Sequence, residues 1–355
     1  MAETVNISKM AGIISVEIFK IFKWERVDLE DLNFQCEYPT QHGGTDKTEY
    51  THPVDVVFYY TDPYTNKRVF FNTDLKSYKS SSINSGTVRT ALVSLANTID
   101  CAAMSEEWKE KYDTKWSSGF EVRGLLFIYN HDQGFDRDFY EFFERGQKES
   151  DKDKRRKYIN PLSLNVQKNQ CVHLIDPGLI EYLLNIVADI KTLKGEDKFP
   201  KKDYAFYYPD LILHKAKNES FDRPATIESL SGPFLIIKHP EVKVYDEKKE
   251  QLQEVYPKGY LIYLRSVGSD HKYFMYLFDQ LSNYQVLEDD HIIRIRMPHN
   301  SLSSARSNFK RAIESYSKAW GYDSYKKDLL ERIELDFVDS FTPTVFEQEL
   351  ARSES

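Results

Sequence analysis

Cysteine is scarce in this chain. Cys36, Cys101 and Cys171 are odd in number and widely spaced, which makes neither a disulfide framework nor a zinc site. Long apolar runs are missing too: nothing approaches the roughly 20 residues needed to cross a bilayer. Glu3 comes early and Glu17 interrupts the most apolar part of the N-terminus, so that region does not read as a signal peptide. These absences place the protein in the cytoplasm and give it no membrane partner. Internal repeats and low-complexity segments are absent as well. Nor is there an excess of positive charge, since the formal net charge is −8 and the isoelectric point is near 5.7. A protein that only coats nucleic acid is normally basic, so the balance argues against a passive DNA-binding module. An enzyme that gathers carboxylates around a cation stays open.

What is present is apolar and aromatic area enough for two cores. Hydrophobic residues make up 41% of the chain against 29% charged, with 24 Tyr and 22 Phe, a balance that places it among folded globular proteins. At 355 residues two domains are expected. Met10, Ile13, Ile14, Ile18, Ile21 and Phe22 recur at helical spacing and predict a first helix over about 8–23. Val54–Thr61 and Arg68–Lys76 read as two strands joined by the turn-forming run Asp62-Pro63-Tyr64-Thr65-Asn66-Lys67. A helix is expected over about 87–108, a buried strand over 122–129, a short strand over 171–175 and a helix from 177 to about 193. The charged segment 194–202, with Gly195 and Pro200, marks a domain boundary, giving domains 1–198 and 199–355. The second is expected to be α+β. Its strands fall over 204–213, 233–238, 260–265 and 292–297, and its helices near 270–284, 301–320 and 324–336.

The chemistry concentrates in the hairpin. Side chains alternate along a strand, so Asp74 and Lys76 share a face while Leu75 points to the opposite layer. Asp55, on the partner strand, can converge on Asp74. Two carboxylates at close range repel, and a divalent cation relieves that repulsion. Mg²⁺ suits oxygen ligands, and water bound to it can attack a phosphodiester. Lys76 would orient or deprotonate that water, or hold charge on the phosphate. Glu17 lies four residues from both Ile13 and Ile21 on the apolar stripe, where an ionised carboxylate is costly without a partner. A third carboxylate aimed at the cation explains it.

Pro53-Val54-Asp55-Val56-Val57-Phe58 followed by Phe70-Phe71-Asn72-Thr73-Asp74-Leu75-Lys76 resembles the PD-(D/E)xK, or restriction-endonuclease-like, nucleases. That superfamily has an αβββαβ-type core. It carries Glu on the first helix, Asp opening the second strand and (D/E)-x-K on the third. Glu17, Asp55, Asp74 and Lys76 match those places in order, over roughly residues 10–175, with Val54 standing between Pro53 and Asp55. The acid-x-Lys pattern alone also occurs at Glu107-Trp108-Lys109, Glu196-Asp197-Lys198 and Glu241-Val242-Lys243. Its place on a hairpin after a helix with an apolar-face Glu singles out Asp74.

The resemblance implies an α/β, restriction-endonuclease-like core beside a second α+β domain, and Mg²⁺-dependent cleavage of DNA rather than RNA. Glu17, Asp55 and Asp74 would be the metal ligands, with Mn²⁺ able to substitute. Restriction or anti-phage defence is the implied setting. The alternative is an inactive nuclease-like fold serving as a binding or assembly subunit. Lys79 and Arg89 flank the helix start after the Asp-x-Lys strand, where they could contact phosphate. The basic run 152–157, and Arg294, Arg296, Arg306, Lys310 and Arg311, offer weaker nucleic-acid or partner surfaces. The C-terminal domain is expected to regulate, recognise or bind a protein partner.

Overall fold

The computed structural model describes residues 2–44, 46, 48–112, 114–115, 118–144, 158–209, 221–246, 251–287 and 290–340. The basic run 152–157 and the end of the strand expected over 204–213 lie outside these. The chain divides into two compact units, Met1–Ile180 and Glu181–Ser355.

In the first unit, helix α1 (Ala2–Ile21) is followed by strands β1 (Glu25–Gln35), β2 (Thr51–Thr61) and β3 (Arg68–Tyr78). A one-turn helix α2 (Pro39–His42) sits between β1 and β2. Helices α3 (Ser85–Ala102) and α4 (Glu106–Lys111) lead to strand β4 (Phe120–Asn130), then β5 (Val172–Ile175) and α5 (Pro177–Gly195). The five strands form one sheet in the order β1-β2-β3-β4-β5. The first three pair antiparallel, and β3, β4 and β5 pair parallel. This is the mixed αβββαβ arrangement that the resemblance implied, with helices on both faces. On one, Phe19 of α1 packs on Phe58 and Phe127 while Trp24 stacks on Phe71. On the other, Val88, Leu92, Leu95 and Ile99 of α3 meet Val57, Phe70, Leu126 and Ile128.

The hairpin turn forms for the reason its composition gave. Asp62 Oδ1 accepts from the N–H groups of Tyr64 and Thr65 at 3.0 and 2.8 Å, and Asn66 takes the left-handed conformation at φ 54°. Helix α3 begins at a reciprocal capping box. The Asn84 side chain accepts from the Gly86 and Thr87 N–H groups, and the Thr87 hydroxyl accepts from the Asn84 N–H. Asn84→Ala is therefore expected to lower unfolding stability by about 1 kcal/mol, and an unchanged urea midpoint would contradict that.

Several elements differ from expectation. Strand β1 was read only as a polar stretch. The single helix expected over 87–108 is two, because Ser105 caps a new one by accepting from Trp108 N–H. The helix expected over 324–336 stops at Glu331, and Glu334–Phe337 forms a strand.

The second unit holds a five-stranded sheet, for which we number the strands β6 (Ala205–Phe206), β7 (Phe234–His239), β10 (Gly259–Leu264), β11 (Ile292–Met297) and β12 (Glu334–Phe337). Their order is β12-β11-β10-β7-β6. The separate hairpin β8 (Val242–Asp246) with β9 (Gln251–Tyr256) pairs antiparallel. Phe274, Leu277, Phe278 and Leu281 of one helix and Phe309, Ala312, Ile313 and Tyr316 of another pack against this sheet's strands. The division between units falls inside α5, before the linker 194–202, because that helix is tied to the second sheet. Tyr182 donates to the Tyr263 carbonyl, and Asp189 accepts from the Tyr263 hydroxyl at 2.7 Å and from Arg296 Nε at 3.0 Å. Arg294 and Arg296, read as a surface, thus point inward. Arg294 is buried, stacked 4.6 Å from the Tyr256 ring, and Arg296 is held by Asp189. Among the described residues no helix is long and apolar enough to cross a membrane.

Candidate active site

Strands β2 and β3 pair from Thr61 opposite Arg68 as far as Val56 opposite Thr73. Beyond that point the main-chain ladder stops, while β3 continues beside β4 with Asp74 opposite Leu126 and Lys76 opposite Ile128. Asp55 and Asp74 are the next residues on either side of the divergence. A backbone N–H at such a point needs a new acceptor, and Leu75 finds one in the Asp55 carboxylate at 2.7 Å. That hydrogen bond fixes Asp55 over the start of the Asp-x-Lys segment.

Lys76 Nζ is ion-paired with Asp74 Oδ1, confirming that these side chains share a face. Burial alone would lower the Lys76 pKa, but the Asp74 carboxylate, with Asp55 behind it, outweighs burial and holds it above the ordinary lysine value. Lys76 is an ammonium at neutral pH. Asp55 goes the opposite way from an ordinary surface carboxyl. Burial pushes it up to about 6; the Leu75 N–H and Lys76 oppose the rise, and the neighbouring Asp74 adds to it. An acid so strained toward its neutral form is one that a cation would restore.

Glu17 enters from α1. It is half-buried between the buried Ile14 and Ile18, and lines a cavity of about 650 Å³ together with Asp55, Leu75 and Lys76. Asp74 adjoins this cavity through its pair with Lys76. All four residues read from the sequence are therefore brought to one place. The donor set is carboxylate oxygen throughout, which fits a hard divalent cation.

The chain belongs to a nuclease family. The sequence model of the GAPS4 protein PD-(D/E)XK nuclease domain matches residues 1–178. No curated protein matches the chain. The GAPS4 nuclease-domain match ends at the close of the first unit, and it spans Glu17, Asp55, Asp74 and Lys76. PD-(D/E)XK nucleases generally use divalent metals, in keeping with the oxygen donors that meet here.

Around this centre the nuclease domain shows what the sequence left unread. Arg26 and Glu30 of β1, an ion pair, line the same cavity. Val27 and Leu29, then Leu32 and Phe34, alternate with a change of phase between them. That change lies beside the left-handed Asp31 at φ 52° and follows a register shift against β2 between Arg26 and Glu30, so an irregular strand was legible. Lys79 is exposed just beyond β3. Arg89 donates to the Ser163 hydroxyl at 3.0 Å and to the Ser163 carbonyl, which commits its guanidinium to a loop. His131 follows β4, and Asp132 accepts from Ser80 N–H, Asn130 and Gly134 N–H, a loop-ordering role. Cys36 and Cys101, read as too far apart for a metal site, meet with His42 and His52 on the α3 side of the sheet.

Proposed function

We propose that the N-terminal unit is a Mg²⁺-dependent endonuclease that hydrolyses phosphodiester bonds in DNA. The observation that carries this reading is the convergence of Asp55, Asp74 and Lys76 at the divergence of β2 and β3, with Glu17 lining the same cavity. Glu17, Asp55 and Asp74 hold the cation, and Mn²⁺ substitutes for Mg²⁺. The ion, when bound, acts as a Lewis acid that acidifies a water and neutralises phosphate charge. Lys76, kept protonated by its carboxylate neighbours, places an ammonium where charge builds on the attacked phosphate. Its role is thus electrostatic rather than that of a base. Lys79 supplies a contact to a flanking phosphate. The acidic balance of the chain fits a protein that holds nucleic acid through a local patch. The domain limits 1–198 and 199–355, a recognition or partner-binding role for the second, a cytoplasmic location and a part in restriction or phage defence complete the proposal.

Incubation of the full chain with plasmid DNA, linear DNA and RNA, in Mg²⁺, Mn²⁺ or EDTA, tests it. DNA cutting that needs the metal and is lost in Asp74→Ala is expected. Cutting of RNA alone would reassign the substrate. Cutting that survives Asp74→Ala would displace the site, and no cutting in any metal would favour the binding or assembly role.

A further inference from the structure

On the face of the nuclease-domain sheet opposite Asp55, four side chains meet that the proposed reaction does not use. Cys36 follows β1, His42 ends α2, His52 opens β2 and Cys101 lies in the last turn of α3. One donor atom from each falls within 4.8 Å of all the others. The spacings are those of a coordination shell. Cys36 Sγ and Cys101 Sγ are 3.7 Å apart, and His42 Nδ1 is 3.4 Å from each sulfur. A tetrahedral zinc, with Zn–S about 2.3 Å and Zn–N about 2.0–2.1 Å, requires sulfur–sulfur edges of about 3.8 Å and sulfur–nitrogen edges of about 3.5 Å.

The surroundings are those of ligands held in place. His42 turns its other nitrogen, Nε2, to Asp100 Oδ2 at 3.5 Å, and Gln170 fixes the second Asp100 oxygen at 2.9 Å. His52 Nδ1 lies 3.4 Å from the Thr98 hydroxyl. This leaves His52 Nε2, on a residue only 1% exposed, buried with no hydrogen-bond partner among the described residues. A buried imidazole nitrogen without a partner is unfavourable, and a metal would satisfy it. Each sulfur also accepts a backbone N–H at 3.3 Å, Cys101 from Glu37 and Cys36 from Tyr38.

We propose that Cys36, His42, His52 and Cys101 bind a structural zinc ion. Thiolate and imidazole donors select zinc over Mg²⁺, and four protein ligands close the shell, leaving no position for a reacting water. The ion would clamp the end of the edge strand β1 and the α2 turn to β2 and to the C-terminal end of α3. It stands apart from the Asp55 centre, so it holds or falls independently of the nuclease reading.

Full-length protein, purified under reducing conditions without chelator, is expected to carry about one zinc per chain by mass spectrometry of the metal. Asp55→Asn should leave that content unchanged, and Cys36→Ser with Cys101→Ser should abolish it. Because the cysteine variant risks misfolding, two further measurements decide. Cobalt added to metal-stripped wild type should give the ligand-field bands and thiolate charge-transfer band of a tetrahedral site. Asp100→Asn, which removes only the His42 orienting group, should weaken zinc binding about 10–100-fold. A wild type that takes up neither ion after reduction, a cobalt spectrum without the thiolate band, or a Cys36–Cys101 disulfide in freshly purified protein would overturn the proposal.

Discussion

Lys76→Ala should lower DNA cleavage by about 10²–10³-fold, the usual effect of removing one preorganised charge-stabilising group, while leaving Mg²⁺ binding intact or tighter. The two outcomes separate because Lys76 and the cation compete for the same anionic field. In the metal-free protein the ammonium sits on Asp74 and is held protonated by Asp74 and Asp55. Removing it leaves two carboxylates with one fewer cation between them, which favours the metal. Single-turnover cleavage at saturating metal, alongside calorimetric titration of Mg²⁺, reads both quantities. Equal losses of binding and cleavage would mean that Lys76 organises the ligands instead of acting on the phosphate. Lys76→Arg should recover only part of the rate, since a planar guanidinium does not replace a compact ammonium in this position.

The second large effect concerns Asp55 and carries opposite signs for activity and stability. Its carboxyl is raised from 3.8 to about 6 by burial first, and by Asp74. The folded protein therefore holds this proton more tightly than the unfolded chain does. Stability linked to the group is fully present below about pH 4, the unfolded value. It falls as pH rises toward about 6, and above that the ionised carboxylate is a standing liability. Asp55→Asn removes the liability while its side-chain oxygen still accepts from Leu75 N–H. At pH 8 without metal the variant should be more stable than wild type by about 1–2 kcal/mol, after allowance for solvent screening. Its melting temperature should rise by about 2–6 °C, though cleavage is lost. At pH 4 the gain should vanish. In wild type, Mg²⁺ affinity should fall about tenfold per pH unit below about 6, as the proton competes for the ligand. A variant that melts lower at pH 8, or wild-type metal binding flat from pH 7 to pH 5, would contradict this account of Asp55.

How far the sequence disclosed these features depended on range. Asp55, Asp74, Lys76 and the Asp62 turn lie within one hairpin, and strand alternation put the last two acid-x-Lys side chains together without any tertiary knowledge. Glu17 was legible because a carboxylate on an apolar stripe demands a reason. Strand β1 was not read, because four of its eleven residues are acidic (Glu25, Asp28, Glu30 and Asp31) and its apolar phase changes between Leu29 and Leu32.

The longer-range features had no local signal. Arg294 and Arg296 alternate as a surface strand would, yet Arg296 is held by Asp189, 107 residues away in the chain, and Arg294 is buried against Tyr256 and His239. Cys36 and Cys101 are 65 residues apart, and only the pairing of β1 with β2 and the docking of α3 beneath them create the cluster. Spacing rules for metal sites recognise ligands on neighbouring turns, not ligands assembled from four elements.

The most direct test of the central claim is an anomalous-scattering map from crystals of the full chain grown or soaked with Mn²⁺. The account predicts a manganese peak bonded to carboxylate oxygens of Asp55 and Asp74, on the cavity that Glu17 lines, with Lys76 displaced from its pair with Asp74. A fully occupied manganese bound elsewhere in the N-terminal unit, with Asp55 and Asp74 empty and the Lys76 pair unbroken, would contradict it.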